Sequence, residues 1–241
     1  VETKAMELSQ KPGAKSYDEW LEQLNASYGL NDSIIKGYFT WASKAVRGQF
    51  GDSWNYNQPV LQKFSSVIWY SFALGLSAFL LEIIIAIPAG VAAAKKQYSM
   101  TDYSITVIAL IGISLPSFFF ATILKWVFAV KLNWLDLYGI VGRMHQQMSP
   151  IEQILDMAKH MIMPVLTLII VNIGSLMRYT RANMLEVLNS DYIRTARAKG
   201  LPERKVINYH AFRNILIPIV TLLGGTLPSL FSGALITETL F

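Results

Sequence analysis

Few side chains in this sequence could do chemistry, and they are unevenly placed. Residues 191–221 read DYIRTARAKGLPERKVINYHAFRNILIPIVT, a basic stretch between apolar runs. From 178 to 213, eight Lys/Arg stand against three Asp/Glu, a net of +5. A long, well-patterned charged stretch between two apolar runs suits docking against another surface. Glu82 is a lone acid in the middle of an apolar run, where a carboxylate must face protein or water. With Ser114, Ser117 and Asn172 from other apolar runs, it is a candidate for lining a polar pathway. The histidines His145, His160 and His210 are scattered, and neither H-E-x-x-H nor G-x-S-x-G occurs. No G-x-x-x-x-G-K-[ST] phosphate loop occurs, so this chain is not expected to hydrolyse ATP itself. Cysteine is absent, which excludes disulfides, thiolate metal sites and a cysteine nucleophile. No catalytic residue and no metal ligand is assigned.

The elements that must hold these groups are membrane helices. Of the 241 residues 53% are hydrophobic and 15% charged, where a soluble domain carries roughly 25% charged residues. Mean hydropathy is +0.36. The apolar residues collect in runs at 64–94, 103–130, 161–177 and 214–241, so the expected class is an all-α integral membrane protein. Residues 1–63 form a separate polar segment. Val1 opens no charged-then-apolar leader pattern and Phe241 lies inside an apolar run. The sequence therefore reads as part of a longer chain, with a span expected beyond each end.

Each run has its own punctuation. A helix over 64–94 would reach roughly 46 Å, more than the hydrocarbon core needs, so it tilts or protrudes. In 103–130, Pro116 frees a backbone carbonyl that the hydroxyls of Ser114 and Ser117 can re-satisfy, and a kink is expected. Lys125 can snorkel toward the interface, with Trp126 and Trp134 as anchors. In 161–177, Asn172, Gly174 and Ser175 suit close helix contact, and Arg178 is expected to end the span. In 214–241, Gly225, Ser229 and Gly233 recur every four residues, a small-residue face for packing.

The polar segments carry helix signals too. Ser16 with Glu19 is a capping-box pattern, predicting a helix from Tyr17 to about Ser27 stopped by Gly29. Asn31 or Asp32 can cap a second helix through Ile34, Tyr38, Trp41 and Val46, ended by Gly48, whose apolar face must lie on something. Ser149, Pro150 and Glu152 form another helix start. Charges cancel over 1–63 (seven against seven) and over 131–160 (three against three). Only 95–102 and 178–213 carry excess Lys/Arg, so both are expected on the cytoplasmic side, with 1–63 and 131–160 outside.

Within the basic loop, Ser190 or Asp191 can cap a helix over 192–199 that Gly200 stops. Pro202 then opens a second helix with Glu203 in its first turn. So short a first helix is marginal in water and needs a surface to lie on. Contact with anionic lipid alone would not require a Gly-Leu-Pro turn between two helices.

The residues Asp191, Tyr192, Ile193, Arg194, Thr195, Ala196, Arg197, Ala198, Lys199, Gly200 and Leu201 resemble the "EAA loop" of ABC importer permeases, in the form used by the oligopeptide/dipeptide/nickel group. The resemblance extends through His210 to Asn214 and Pro218, and upstream to Arg181 and Met184 to Leu188. More loosely it takes in Gly48 to Ser53 and Ser114 to Ser117, most of the chain in all. Arg194, Thr195 and Ala196 stand where the broad family opens Glu-Ala-Ala, and the usual Ile-x-Leu-Pro element is replaced around His210 to Arg213. That departure is typical of the peptide/nickel group.

What the resemblance implies is a type I ABC importer transmembrane domain with four of six core helices present. Residues 191–201 would be a coupling helix seated in a groove of a separate ATPase subunit, which holds ATP-Mg. This chain would bind no cofactor. The other partners would be a second, similar permease subunit, an external substrate-binding protein delivering cargo to 1–63 and 131–160, and the bilayer, with no nucleic acid. The cargo would be peptides, or in an alternative reading nickel or another small solute. The host would be a bacterium or archaeon, and the site its cytoplasmic membrane. A membrane-embedded enzyme would need converging polar groups, and an ion-coupled carrier more intramembrane charge than Glu82, Lys125 and Glu238.

Overall fold

A computed structural model describes residues 1–10, 13–30, 33–53, 55–56 and 58–241, and among them the only strand-like pairing is a single bridge between Asp52 and Pro59. The chain divides into two units, Val1–Val67 and Ile68–Phe241.

In the first unit, α1 (Glu2–Ser9) packs on α2 (Tyr17–Tyr28). Ser16 and Glu19 form the expected reciprocal cap of α2, and Gly29 ends it in the left-handed conformation. Helix α3 (Ile34–Val46) starts after Ser33, whose side chain makes no capping bond. Asn31 and Asp32, the expected caps, lie outside the described residues. Gly48 closes α3 at φ +74°, its N–H and that of Gln49 bonding back to Ala45 and Lys44. Among the described residues of the first unit nothing covers the apolar face of α3 that was expected to lie on something. Ile34, Ile35, Tyr38, Phe39, Trp41 and Val46 are all exposed.

The second unit is built from long apolar helices. Helix α4 (Val60–Lys95), which begins in the first unit, and α7 (Pro150–Leu188) are each long and apolar enough to cross a membrane, as is the helical stretch Glu203–Phe231. That stretch comprises α9 (Glu203–Lys205), a π-helical turn, α10 (Phe212–Thr226) and a 3-10 turn. Helices α5 (Met100–Ser114) and α6 (Ser117–Leu124), the latter continued by a π-turn to Lys131, reach spanning length only together and meet at 102°. A short α11 (Leu235–Leu240) follows.

Helix approach is set by small residues, as expected where the solvent is lipid and apolar burial gives helices no mutual attraction. Gly174 of α7 sits against the Ala109 carbonyl of α5, and Gly112 of α5 against the Ile170 carbonyl of α7. Gly90 of α4 faces Met177 and Thr180 of α7, where an added Cβ would lie 2.7 Å from both. The core runs from Leu74, Ala78 and Ala86 of α4 through Val165, Ile169 and Ile173 of α7 to Ile215 and Ile219 of α10.

Three expected spans differ in detail. At Pro116 the chain breaks instead of kinking. Leu115 is fully extended (φ −101°, ψ 137°), as steric conflict with the proline ring demands, and Pro116 becomes the N-cap of α6. Arg178 does not end the helix. Nothing from 178 to 188 breaks a helix, so α7 runs on to Leu188, and Ser149, Pro150 and Glu152 start it well before Met161. The fourth run is not one helix to 241. It starts at Glu203 and stops at Phe231, because Gly233 takes φ +71°. Of its small-residue face, Gly225 meets open space, while Ser229 and Gly233 line a cavity.

Lys125 turns into the protein. It does not reach outward: it is 9% exposed, donates to the Leu240 carbonyl and lies 3.6 Å over the Tyr138 ring. A carbonyl and an aromatic face stand in for water around its ammonium.

Candidate functional site

The basic loop folds as a tight helix–turn–helix. Helix α8 (Asp191–Ala198) follows Ser190, whose hydroxyl bonds back to the Val187 carbonyl and leaves the cap unmade. Gly200 takes φ +72°, its N–H bonding the Arg197 carbonyl while that of Leu201 bonds Ala196, a Schellman turn. Pro202 then caps α9. The surface that α8 needs comes from its own chain. Ile193 and Ala196 are buried in the cluster containing Met184, Val206 and Ile207. Asp191, Tyr192, Arg194, Thr195, Arg197, Ala198, Lys199 and Gly200 are exposed, and Leu201 is half-buried.

The two cations of α8 play different parts. Arg194 reaches outward and, among the described residues, pairs only with Asp191 at 3.4 Å. Arg197 closes the hinge, donating to both Glu203 oxygens at 3.2 and 2.8 Å, and this hydrogen bonding pushes its guanidinium pKa further up.

Behind the loop stands a pair that the sequence did not single out. Arg181 of α7 grips Asp102 of α5 with two bonds, Nε to Oδ1 at 2.6 Å and Nη2 to Oδ2 at 2.8 Å. Asp102 is 3% exposed and also accepts from the N–H of Tyr98, a residue held at φ +62°. This pair ties the segment 95–102 to α7 just before the basic loop. Tethers at the start of α7 hold the segment 132–149: Asp156 bonds the Gly142 N–H and His145, and Lys159 bonds Asp136. A lone Asp at the head of a helix gives no hint of a partner 79 residues away.

The candidate pathway residues separate. Glu82 and Asn172 line one cavity of about 400 Å³, walled by α4, α7, α10 and the segment after it. Its other polar groups include Ser71, Ser175, Thr226 and Ser229. Ser114 and Ser117 are not in that wall. They flank the α5–α6 break, Ser114 exposed and Ser117 half-buried. Ser71 donates to Glu238 at 2.7 Å, so Glu238 stands at the same end of the cavity. Among the described residues no group of three or more His, Cys, Asp or Glu could hold a metal ion. In the first unit, Gly48 to Asp52 border an open cleft with Pro59, Leu61, Gln62 and Ser65.

Long apolar helices with a charged helix–turn–helix at one end define a multi-pass membrane protein. Residues 86–241 match the family described as binding-protein-dependent transport system inner membrane component, and the chain belongs to that family. It is 38% identical over 221 residues to the oligopeptide transport system permease protein AppB of Bacillus subtilis, covering 91% of this chain and 68% of that protein. It is 37% identical over 224 residues to the corresponding OppB of Salmonella typhimurium and 36% to that of Escherichia coli K12, in each case covering 92% of this chain and 69% of the relative. The fold is that of a type I ABC importer permease. Membership makes the chain a transport subunit of the inner membrane that works with ATPase and substrate-binding partners.

Proposed function

We propose that this chain is one permease subunit of an ATP-driven importer of peptides, and that α8 with the Gly200 turn is the part that an ATPase subunit moves. The observation that carries the reading is the division of α8 into a buried edge and a charged outer face, locked to the next helix by the Gly200 turn and the Arg197–Glu203 bond. A lever needs that combination: a rigid root and a free surface. Peptide cargo, in preference to nickel, follows the oligopeptide permeases that the chain resembles over most of its length. The basic loop and 95–102 face the cytoplasm, and 1–63 and 131–160 face outward to receive cargo from a substrate-binding protein. A second permease subunit completes the passage, ATP-Mg is held by the ATPase, and six core helices make the full domain. Glu82 and Asn172 line the passage, with Ser114 and Ser117 at the broken span beside it.

The reading is tested by charge reversal. Arg194→Glu is the cleaner probe, because Arg197→Glu would also break the hinge bond. Arg194→Glu should lower peptide-stimulated ATP hydrolysis by about tenfold, in the range of a lost interfacial charge contact, while the amount of protein inserted in the membrane stays constant. Unchanged stimulation would contradict the docking role.

A further inference from the structure

The cavity between α4, α7 and α10 has an uneven charge that its shape alone does not require. Its one ionisable wall residue is Glu82, and among the described residues no Lys, Arg or His lines it. The neighbouring acid, Glu238, is already satisfied, accepting from Ser71 at 2.7 Å and from the Ala234 N–H at 2.8 Å. Glu82 makes no hydrogen bond and no ion pair with any described residue. It is half-buried in the middle of the apolar helix α4, where an acid needs a partner. The surrounding polar groups are hydroxyls and the Asn172 amide, each able to accept a hydrogen bond. A carboxylate among neutral acceptors, with no cation of its own, is complementary to a group that carries positive charge and several donors. An ammonium has three donors and no acceptor. A metal ion would want several anionic ligands converging, and Glu82 stands alone in the wall.

We infer that Glu82 makes this cavity a station for ammonium groups, where the amino terminus or a lysine side chain of a peptide in transit pairs with it. The inference rests on the peptide-passage reading above. An approaching cation is then drawn into an otherwise uncharged wall and released when the helices move, while acidic side chains find no counter-charge there.

The test uses the full-length protein in its complete transporter, reconstituted in vesicles with ATP inside and the binding protein saturated with peptide. Uptake of tri-lysine, tri-alanine and tri-glutamate is compared. In Glu82→Gln the ratio of tri-lysine to tri-glutamate uptake should fall by about tenfold, the scale of one close charge pair away from bulk water. Glu82→Asp should keep most of the preference. Equal change for all three peptides would overturn the ammonium assignment. Should Glu82→Gln fail to assemble, Asn172→Asp decides the matter. It adds a second carboxylate to the same wall and should raise the tri-lysine preference, and an unchanged ratio overturns the inference. A separate arm addresses the passage itself. Asn172→Cys treated with a bulky thiol reagent should stop uptake of every peptide. Undiminished uptake there would overturn the passage reading, whereas a full block with charge-blind Glu82→Gln would overturn only the ammonium station.

Discussion

Asp102 and Arg181 form the most deeply committed polar contact near the basic loop. The carboxylate is almost wholly enclosed, so it depends on the guanidinium and on the Tyr98 N–H. Removing one partner of a buried pair strands the other's charge. Arg181→Ala should therefore destabilise the protein by about 3 kcal/mol, somewhat less than a fully enclosed pair because Arg181 is partly exposed. Thermal unfolding in detergent would show this as a clear drop in midpoint. Arg181→Lys should recover only part of it, because an ammonium cannot reproduce the two-pronged grip. A midpoint unmoved by Arg181→Ala would show that the pair holds nothing. Residues of this kind were poorly legible in sequence. Glu82 stood out because it interrupts an apolar run, whereas Asp102 and Arg181 sit in polar flanks where charges are ordinary.

At the scale of helices, contact between α5 and α7 is fixed by absent side chains. Gly112 and Gly174 each lie against a carbonyl of the other helix, so the atom nearest an added Cβ is backbone and cannot swing aside. Gly174→Leu must push the two helices apart. It should cost about 2 kcal/mol or more, the usual toll of overpacking, and lower the yield of folded protein. Gly225→Leu, by contrast, meets open space and should be nearly neutral for this chain taken alone. Comparing the two variants by thermal unfolding separates packing glycines from free ones, and equal losses would contradict the assignment. Gly174 was legible as a contact residue because it stands among apolar neighbours beside Ser175. The role of Gly225 was not, since a four-residue spacing cannot tell which face has a neighbour. Helix starts were read well, as at Ser16 and Ser149, because a cap is a local event. Helix ends were read poorly at Arg178, because charge ends an apolar run without ending a helix. The break at Pro116 was anticipated in position and underestimated in angle, since the neighbours that hold a 102° corner are distant in sequence.

For the molecule as a whole, the charge of the loops predicts the orientation. The two bonds between Arg181 and Asp102 tie the segment 95–102 to α7 just before the basic loop, and the positive bias of both segments predicts that they share the cytoplasmic side. The sequence has no cysteine, so a single introduced thiol is unique within it. In intact cells of the host, Ser27→Cys and Gln147→Cys should react with a membrane-impermeant thiol reagent, and Asn189→Cys should react only after the membrane is opened. The reverse pattern would overturn the orientation. Fold class and family were legible because the basic helix–turn–helix and the apolar runs are both local patterns. Which polar groups share a cavity was not, because Glu82 and Asn172 meet only once α4 and α7 have crossed.

The central claim is that α8 and its turn rest on an ATPase subunit. Ala198→Cys puts one thiol on the exposed side of α8 without touching Ile193, Ala196 or the Arg197–Glu203 bond. In the assembled full-length transporter, a short bifunctional thiol cross-linker should join this position to the ATPase subunit, with a yield that changes when ATP is bound. A cross-link formed only to other proteins or to none, in a transporter that still imports peptide, would contradict the account.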